Sequence, residues 1–418
     1  MRVAVIGAGI VGACCALELV RDGHAVTLIE PDEPGGEHAA SYGNGAWISP
    51  ASVVPMSMPG LWKKIPGLLI DRDGPLTLRP GALPSLAPWL LRFVMAGRSV
   101  ACVEATARAL AALLGDAPQR HRDIAAEAGV ARLIDSRGLL YVFPDRAAFV
   151  ADALAWRLRR DNGVLWRELD ASTLHAMVPM LAPRYRFGVL VPQGAHCRDP
   201  GAYVAAVVEH VRGRGAQFSK ARATGFSVAN GRLRAVKTDA GDIPCERAVI
   251  AAGIASGELA REAGDRVPLE SERGYHAIVE NPGFELPLPV MPSDGKMANT
   301  PTDRGLRLAG QVELARRDAP PDWRRVDILL RHARATYPQL SQAQDLAGIP
   351  RWMGHRPSTP DGLPVLGTAS LCTDVIHAFG HGHVGLACAP AGARIVADLV
   401  SAAPATIDRV PYRAGRFR

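Results

Sequence analysis

The sequence predicts an α/β fold, with a helix-wrapped parallel sheet joined to a second domain built on an antiparallel sheet. Three observations predict it. The chain opens on the β-branched run Val3-Ala4-Val5-Ile6, passes through a glycine-rich turn into an Ala- and Leu-rich stretch, and returns to Ala25-Val26-Thr27-Leu28-Ile29. A similar apolar run, Ala248-Val249-Ile250, recurs late in the chain and ends in Ala251-Ala252-Gly253. Between 267 and 314 short alternating runs take over, the pattern of antiparallel strands.

The opening turn is Gly7-Ala8-Gly9-Ile10-Val11-Gly12, the G-x-G-x-x-G spacing of a Rossmann-type dinucleotide site. Gly7 permits the tight turn, Gly9 lets the backbone approach a pyrophosphate, and Gly12 lets helix and strand pack closely. The helix start supplies free N–H groups and partial positive charge. Glu30, eighteen residues past Gly12, closes the second strand. It can accept bonds from ribose hydroxyls, and its charge disfavours a 2′-phosphate. The fingerprint alone does not separate FAD from NAD.

At 418 residues the chain has room for two domains, each with its own core. Apolar residues make up 48%, yet no uninterrupted run of about eighteen appears, so no spanning helix is expected. The chain enters a strand at once, which argues against a secretory leader. Seven cysteines without C-x-x-C spacing predict neither a disulfide framework nor a zinc site, and no metal is expected. A reducing cytoplasm fits. The net charge of +7 comes from scattered arginines without a basic block, so nucleic acid is not expected as a partner. An anionic substrate or membrane surface suits it better.

After a polar loop, Ser41-Tyr42-Gly43-Asn44-Gly45 is small and turn-forming, able to lay backbone against a flat ligand. Segment 50–97 is proline-rich and apolar, with Met56, Met58, Leu61, Trp62, Ile65, Leu68, Leu69, Ile70, Leu86, Trp89, Leu91 and Met95. Lys63, Lys64, Arg92 and Arg98 lie among them. Membrane docking, a buried lid and a subunit contact are all open readings of it. Helices are expected over 101–128, 145–161, 169–178 (capped by Asp170 or Ser172), 202–214 and 322–337, with strands at 138–143, 188–191 and 375–379. The chain closes on Gly380-His381-Gly382-His383-Val384-Gly385 and an Ala-rich helix, which Pro390 interrupts early. There is no internal repeat.

Six segments carry a family resemblance: the fingerprint with Glu30, Ser41-Tyr42-Gly43-Asn44, Ala251-Ala252-Gly253, Arg273-Gly274-Tyr275-His276, the run from Trp352 through Arg356 to Gly362, and Gly380 to Gly385. With these the chain resembles, over nearly its whole length, the FAD-dependent D-amino-acid oxidase and dehydrogenase superfamily. It is most similar to the bacterial D-amino-acid dehydrogenases, including those for D-hydroxyproline. The resemblance implies non-covalent FAD and a discontinuous flavin domain over 1–50, 150–180, 200–258 and 345–418. A substrate domain would be inserted from 51–149, 181–199 and 259–344.

The implied reaction oxidises a small D-amino acid, D-proline or a hydroxyproline included, to its imine by hydride transfer. Electrons would pass to a quinone or carrier. An oxygen-using amine oxidase of glycine or sarcosine type is the alternative, as is a flavin-binding relay subunit without a substrate site. Arg356 is the expected carboxylate clamp, because a guanidinium fork binds a carboxylate bidentately and related amine oxidases have an arginine in this motif. Tyr275, His355 and His383 are the other catalytic candidates, and only one of Tyr275 and His276 can point inward from a strand. His383 stands where glycine oxidases have a second arginine, and Gly354 where sarcosine oxidases have a flavin-linked cysteine. The expected cofactor contacts are Gly7, Gly9, Ile10, Val11, Gly12, Glu30, Ser41, Asn44, Gly45, Gly253, Gly380, Gly382, His383, Val384 and Gly385. Backbone N–H groups of the last four would favour negative charge developing on the flavin.

Overall fold

The computed structural model describes residues 1–63, 67, 74–341 and 348–418. Lys64, Ile65, Leu68, Leu69 and Ile70 of the apolar segment lie outside the described residues.

The opening run becomes strand Arg2–Ile6 at the centre of a six-stranded sheet. It pairs in parallel with Ala25–Ile29 on one side and Arg247–Ile250 on the other. Gln217–Ser219 extends the first side and Val375–Phe379 the second, both in parallel, and Val365–Thr368 closes an edge antiparallel. The inner strands are apolar almost throughout because both faces are covered. Helices Ile10–Arg21, Pro200–Gly213 and Gly385–Val400 share one core on the first face. On the other face lie a three-stranded antiparallel sheet, Ala223–Ala229 with Arg232–Thr238 and Ile243–Pro244, and helix Ser256–Glu262.

Two placements differ from expectation. Helices Val100–Leu114 and Ala117–Glu127, expected with the second domain, send Leu110, Leu113, Leu114 and Ile124 into the core of the nucleotide sheet. Pro390 lies inside the closing helix and not in its first turn. The stretch Gly382–Val400 is long and apolar enough to cross a membrane by length and composition, unlike the expectation, but it is mostly buried in this core.

The second sheet has nine described strands and is mixed, not purely antiparallel. Its order runs Arg351–Ser358, Glu270–Val279, Gly305–Leu314, Ala298–Thr302, Val290–Pro292, Leu139–Phe143, Phe187–Val191, Arg167–Leu169, with Leu76–Leu78 beside Gly305–Leu314. The parallel pairings are Val290–Pro292 with Leu139–Phe143 and Leu76–Leu78 with Gly305–Leu314. Arg167–Leu169 and Arg351–Ser358 thus join this sheet and not the nucleotide sheet, where 150–180 and 345–418 were expected to belong. Helix Arg324–Thr336 covers one face through Val326, Leu329, Leu330 and Ala333. The other face meets the loop around Gly43.

Candidate active site

The fingerprint forms a cradle only glycine can build. Gly7 has φ +104°, and a Cβ there would stand 2.4 Å from the Ala251 carbonyl oxygen. A Cβ on Gly12 would stand 1.9 Å from the Gly7 carbonyl oxygen. Helix Ile10–Arg21 therefore seats directly on the strand end, its first-turn N–H groups turned outward. The Ile10 N–H donates to Ser41 Oγ at 3.0 Å, while Val11 and Gly12, next in the same turn, have no i−4 partner within the helix. Glu30 is buried and accepts from the Ala8 N–H at 2.9 Å, so the acid is locked at the turn. These features fit the pyrophosphate and ribose of a dinucleotide. Gly253, at φ +57°, opens a short 3-10 turn just past the neighbouring strand Arg247–Ile250.

Ser41, Asn44 and Gly45 lie in a loop that large-sheet residues pin down. Asn44 Oδ1 accepts from the Ala46 N–H at 2.8 Å, and a Cβ on Gly45 would stand 3.3 Å from that of Ala298. Buried Arg307 donates through Nη1 to the carbonyls of Tyr42 at 2.7 Å and Asn44 at 2.9 Å. Trp352 Nε1 donates to the Glu37 carbonyl at 2.7 Å. His276 stacks on that indole, with centroids 5.2 Å apart, and burial together with Arg307 pushes its pKa down to about 3. Arg307 was not legible as a functional residue: an arginine in an alternating strand reads as a solvent-facing one.

Strand Val375–Phe379 ends in Gly380 and Gly382, both at positive φ, before a 3-10 turn Gly382–Val384 leads into the closing helix. A Ser358–His381 bridge ties this turn to the large sheet. His381 is buried with Nε2 unpartnered, and burial lowers its pKa to about 4. His383 opens onto a cleft lined also by Met56, Phe93, Glu272, Ser358 and Gly382. Its ring is exposed to the cleft, and partial desolvation by the surrounding wall, then Arg356, holds its pKa below the ordinary 6.5. It is therefore neutral at physiological pH and does not replace a second arginine's charge.

Arg356 lies on the same side of the sheet as this cleft. Its strand pairs with Glu270–Val279, setting Glu272 opposite Arg356 and Gly274 opposite Gly354. The guanidinium crosses Gly274: a Cβ there would stand 2.3 Å from Arg356 Cζ. Beyond it, Nη1 donates to the Gln311 carbonyl at 2.9 Å and Nη2 faces the Gly310 carbonyl at 3.4 Å. A β-bulge makes those carbonyls available. Register shifts between Arg273 and Tyr275, and Gln311 takes φ +59°, rare for a side-chain-bearing residue. Arg356 makes no direct ion pair among the described residues; the half-buried cation feels Glu272 only through space, which leaves its fork open to an anion.

Strand parity removes two expected catalytic residues. Tyr275 points to the helix side, where its hydroxyl bonds Glu313 Oε2 at 2.5 Å and its ring joins the core beneath Arg324–Thr336. His355 points the same way, its Nδ1 2.7 Å from Ser271 Oγ. Even-numbered positions 272, 274, 276, 354 and 356 share the cleft side; odd-numbered 275 and 355 do not. Glu272, buried and on the cleft wall, was missed.

A glycine cradle that fits a dinucleotide, with Arg356 on a facing sheet open to an anionic group, defines a nucleotide-binding protein with a site for an acid. Residues 2–399 match the DAO family, described as FAD dependent oxidoreductase, and the chain belongs to that family. A D-amino-acid oxidase of Bradyrhizobium diazoefficiens is 48% identical over 416 residues, covering 100% of this chain and 99% of the relative. A D-amino acid dehydrogenase 2 of Ralstonia nicotianae is 30% identical, with both chains covered at 100%. Among solved structures, glycine oxidase from Geobacillus kaustophilus superposes with TM-score 0.74 at 21% identity, covering 99% of this chain and 98% of that one. L-proline dehydrogenase from P. horikoshii gives 0.75 at 20%, covering 100% and 97%. FAD is the cofactor, and the protein is an FAD-dependent amino-acid oxidoreductase. Gly354 offers no thiol to it, and Cys372 is buried beside Leu233 and Val375.

Proposed function

We propose that this protein oxidises a small D-amino acid to its imine, with D-proline and hydroxy-D-proline the first candidates, and passes the electrons to a quinone or carrier. One observation carries the reading: Arg356 is half-buried, makes no direct ion pair among the described residues and is fixed by two backbone carbonyls beside an open cleft. Such a cation is complementary to a substrate carboxylate, and its remaining N–H donors form a fork for it. FAD supplies the hydride acceptor. Gly7, Gly9 and the first-turn N–H groups through Gly12 would hold its pyrophosphate, Glu30 its ribose, and the N–H groups of Gly382 to Gly385 its pyrimidine. The large sheet is then the substrate domain, inserted between segments of the flavin domain. His383 is a neutral wall of the cleft.

The names of the relatives support D-amino acids as the substrate class. They also favour a second reading of the acceptor, since the 48% identical relative is named an oxidase and the 30% identical one a dehydrogenase. We further place the chain in the cytoplasm. Exposed Trp62, Leu91 and Met95, with Lys63, Arg92 and Arg98 nearby, suit peripheral contact with an anionic membrane face. The experiment is an anaerobic panel of D-amino acids scored by loss of flavin absorbance, followed by an aerobic peroxide assay. Bleaching without peroxide supports the dehydrogenase; peroxide at the rate of turnover supports oxygen as acceptor. Persistent colour with every amino acid refutes the reading.

A further inference from the structure

Glu272 stands on the cleft wall without a direct ion pair, Arg356 acting on it only through space. It is directly opposite Arg356 on the neighbouring strand, a position where opposite charges ordinarily meet. The guanidinium instead runs two residues along, over Gly274, and bonds the carbonyls of the bulge. Glu272 makes no ion pair among the described residues, although it is 7% exposed. Beside its carboxylate stands the buried Ser358 hydroxyl, close enough to favour the charged acid but without a well-formed hydrogen bond. Both side chains line the cleft. A mostly buried acid without a direct ion pair, beside a hydroxyl without a well-formed bond, leaves both with capacity that a ligand in the cleft can complete.

The other charged or titratable groups facing this spot do not satisfy it. Arg356 makes its direct bonds to the bulge carbonyls and reaches Glu272 only through space, and His383, on the same cleft, has its pKa lowered. Asp361 on the cleft rim is paired with Arg416 at 2.7 Å. Glu270, two residues along the strand, adds only like charge.

We propose that Glu272 takes the ammonium proton of the bound amino acid, with the Ser358 hydroxyl holding the nitrogen beside it. This rests on the function proposed above. An amino acid whose carboxylate meets Arg356 would then set its nitrogen toward the carboxylate opposite. The N–H bond breaks and leaves its electron pair on nitrogen, while the proton forms an O–H bond on Glu272. Ammonium and carboxylate become amine and carboxylic acid, with no change in the net charge of the cleft. The pair freed on nitrogen is what an imine needs. Burial raises the pKa of Glu272, which narrows the gap to the ammonium and eases the transfer.

The test uses the holoenzyme and two unreactive probes. α-Aminoisobutyrate has ammonium and carboxylate but no α-hydrogen, and isobutyrate lacks the nitrogen. Both are titrated against bound-flavin absorbance in wild type, Glu272→Gln and Glu272→Asp. Wild type should bind α-aminoisobutyrate about tenfold or more tightly than isobutyrate. Glu272→Gln should lose that preference and keep its isobutyrate affinity, which also proves the variant folded. Glu272→Asp should keep part of it. With a D-amino acid, bleaching by Glu272→Gln should fall about a hundredfold at neutral pH and climb roughly tenfold per pH unit as the free amine appears. A wild-type preference and pH profile in Glu272→Gln overturn the assignment while leaving the proposed function intact. Wild type that binds neither probe, and bleaches with no amino acid, overturns both.

Discussion

The Nε2 of His121 stands 2.8 Å from the carbonyl oxygen of Leu386. That carbonyl lies four residues before Pro390, which has no N–H to return to it. His121, from helix Ala117–Glu127, therefore supplies the missing donor, and its Nδ1 accepts from the Tyr203 hydroxyl at 2.9 Å. The bond secures the first turn of the helix that begins beside the cleft. Replacing His121 with Phe should leave a buried carbonyl unpaired and destabilise the fold by about 1–3 kcal/mol. Chemical denaturation of the holoenzyme reads this, and an unchanged midpoint would refute it.

His121 and His381 also set an acid limit. Burial holds both near pKa about 4, against an ordinary 6.5. Between those values the unfolded chain binds protons that the folded chain refuses, so stability is complete above 6.5 and drains as pH falls toward 4. Each group contributes a slope of up to about 1.4 kcal/mol per pH unit. Urea midpoints at neutral and mildly acidic pH should show the fall, and His121→Gln should flatten it.

Gly274→Ala places a methyl where the Arg356 guanidinium lies, 2.3 Å from Cζ. The arginine must leave the bulge carbonyls. KM for the amino acid should rise about tenfold or more, with flavin content unchanged. A normal KM would mean the guanidinium does not need this path.

Gly12→Ala presses a methyl to 1.9 Å from the Gly7 carbonyl oxygen and forces helix Ile10–Arg21 off its strand. Flavin should be lost first, with the dissociation constant about 10- to 100-fold weaker. Flavin fluorescence released on dilution measures it. Retention equal to wild type would show that the cradle tolerates a wider turn.

The fingerprint was legible because strand, turn and helix are contiguous and each glycine has a local steric reason. The helix caps were legible too: Asp199 and Asp170 accept from Ala202 and Thr173 as their positions suggest. What the sequence hid is long-range. Tyr275 and His355 sit in the right strands on the wrong parity, which no spacing reveals until the register with the neighbouring strand is known. Glu272 hid in Glu270-Ser271-Glu272-Arg273, a run that reads as a solvated edge. The Gln311 bulge had no glycine to announce it. Helices Val100–Leu114 and Ala117–Glu127 were seen as helices, but periodicity does not say which sheet they cover.

The central strand of the nucleotide sheet, Arg2–Ile6, is made long before its partner at Arg247–Ile250. The helix that lies against Ile10–Arg21 is made later still, at Gly385–Val400. At ordinary translation speeds the opening strand waits roughly 20–80 s for that last neighbour. A nascent chain truncated before the closing helix should therefore be a substrate for chaperones and proteases. Cofactor capture should then wait until the closing helix Gly385–Val400 has been made and has packed on Ile10–Arg21.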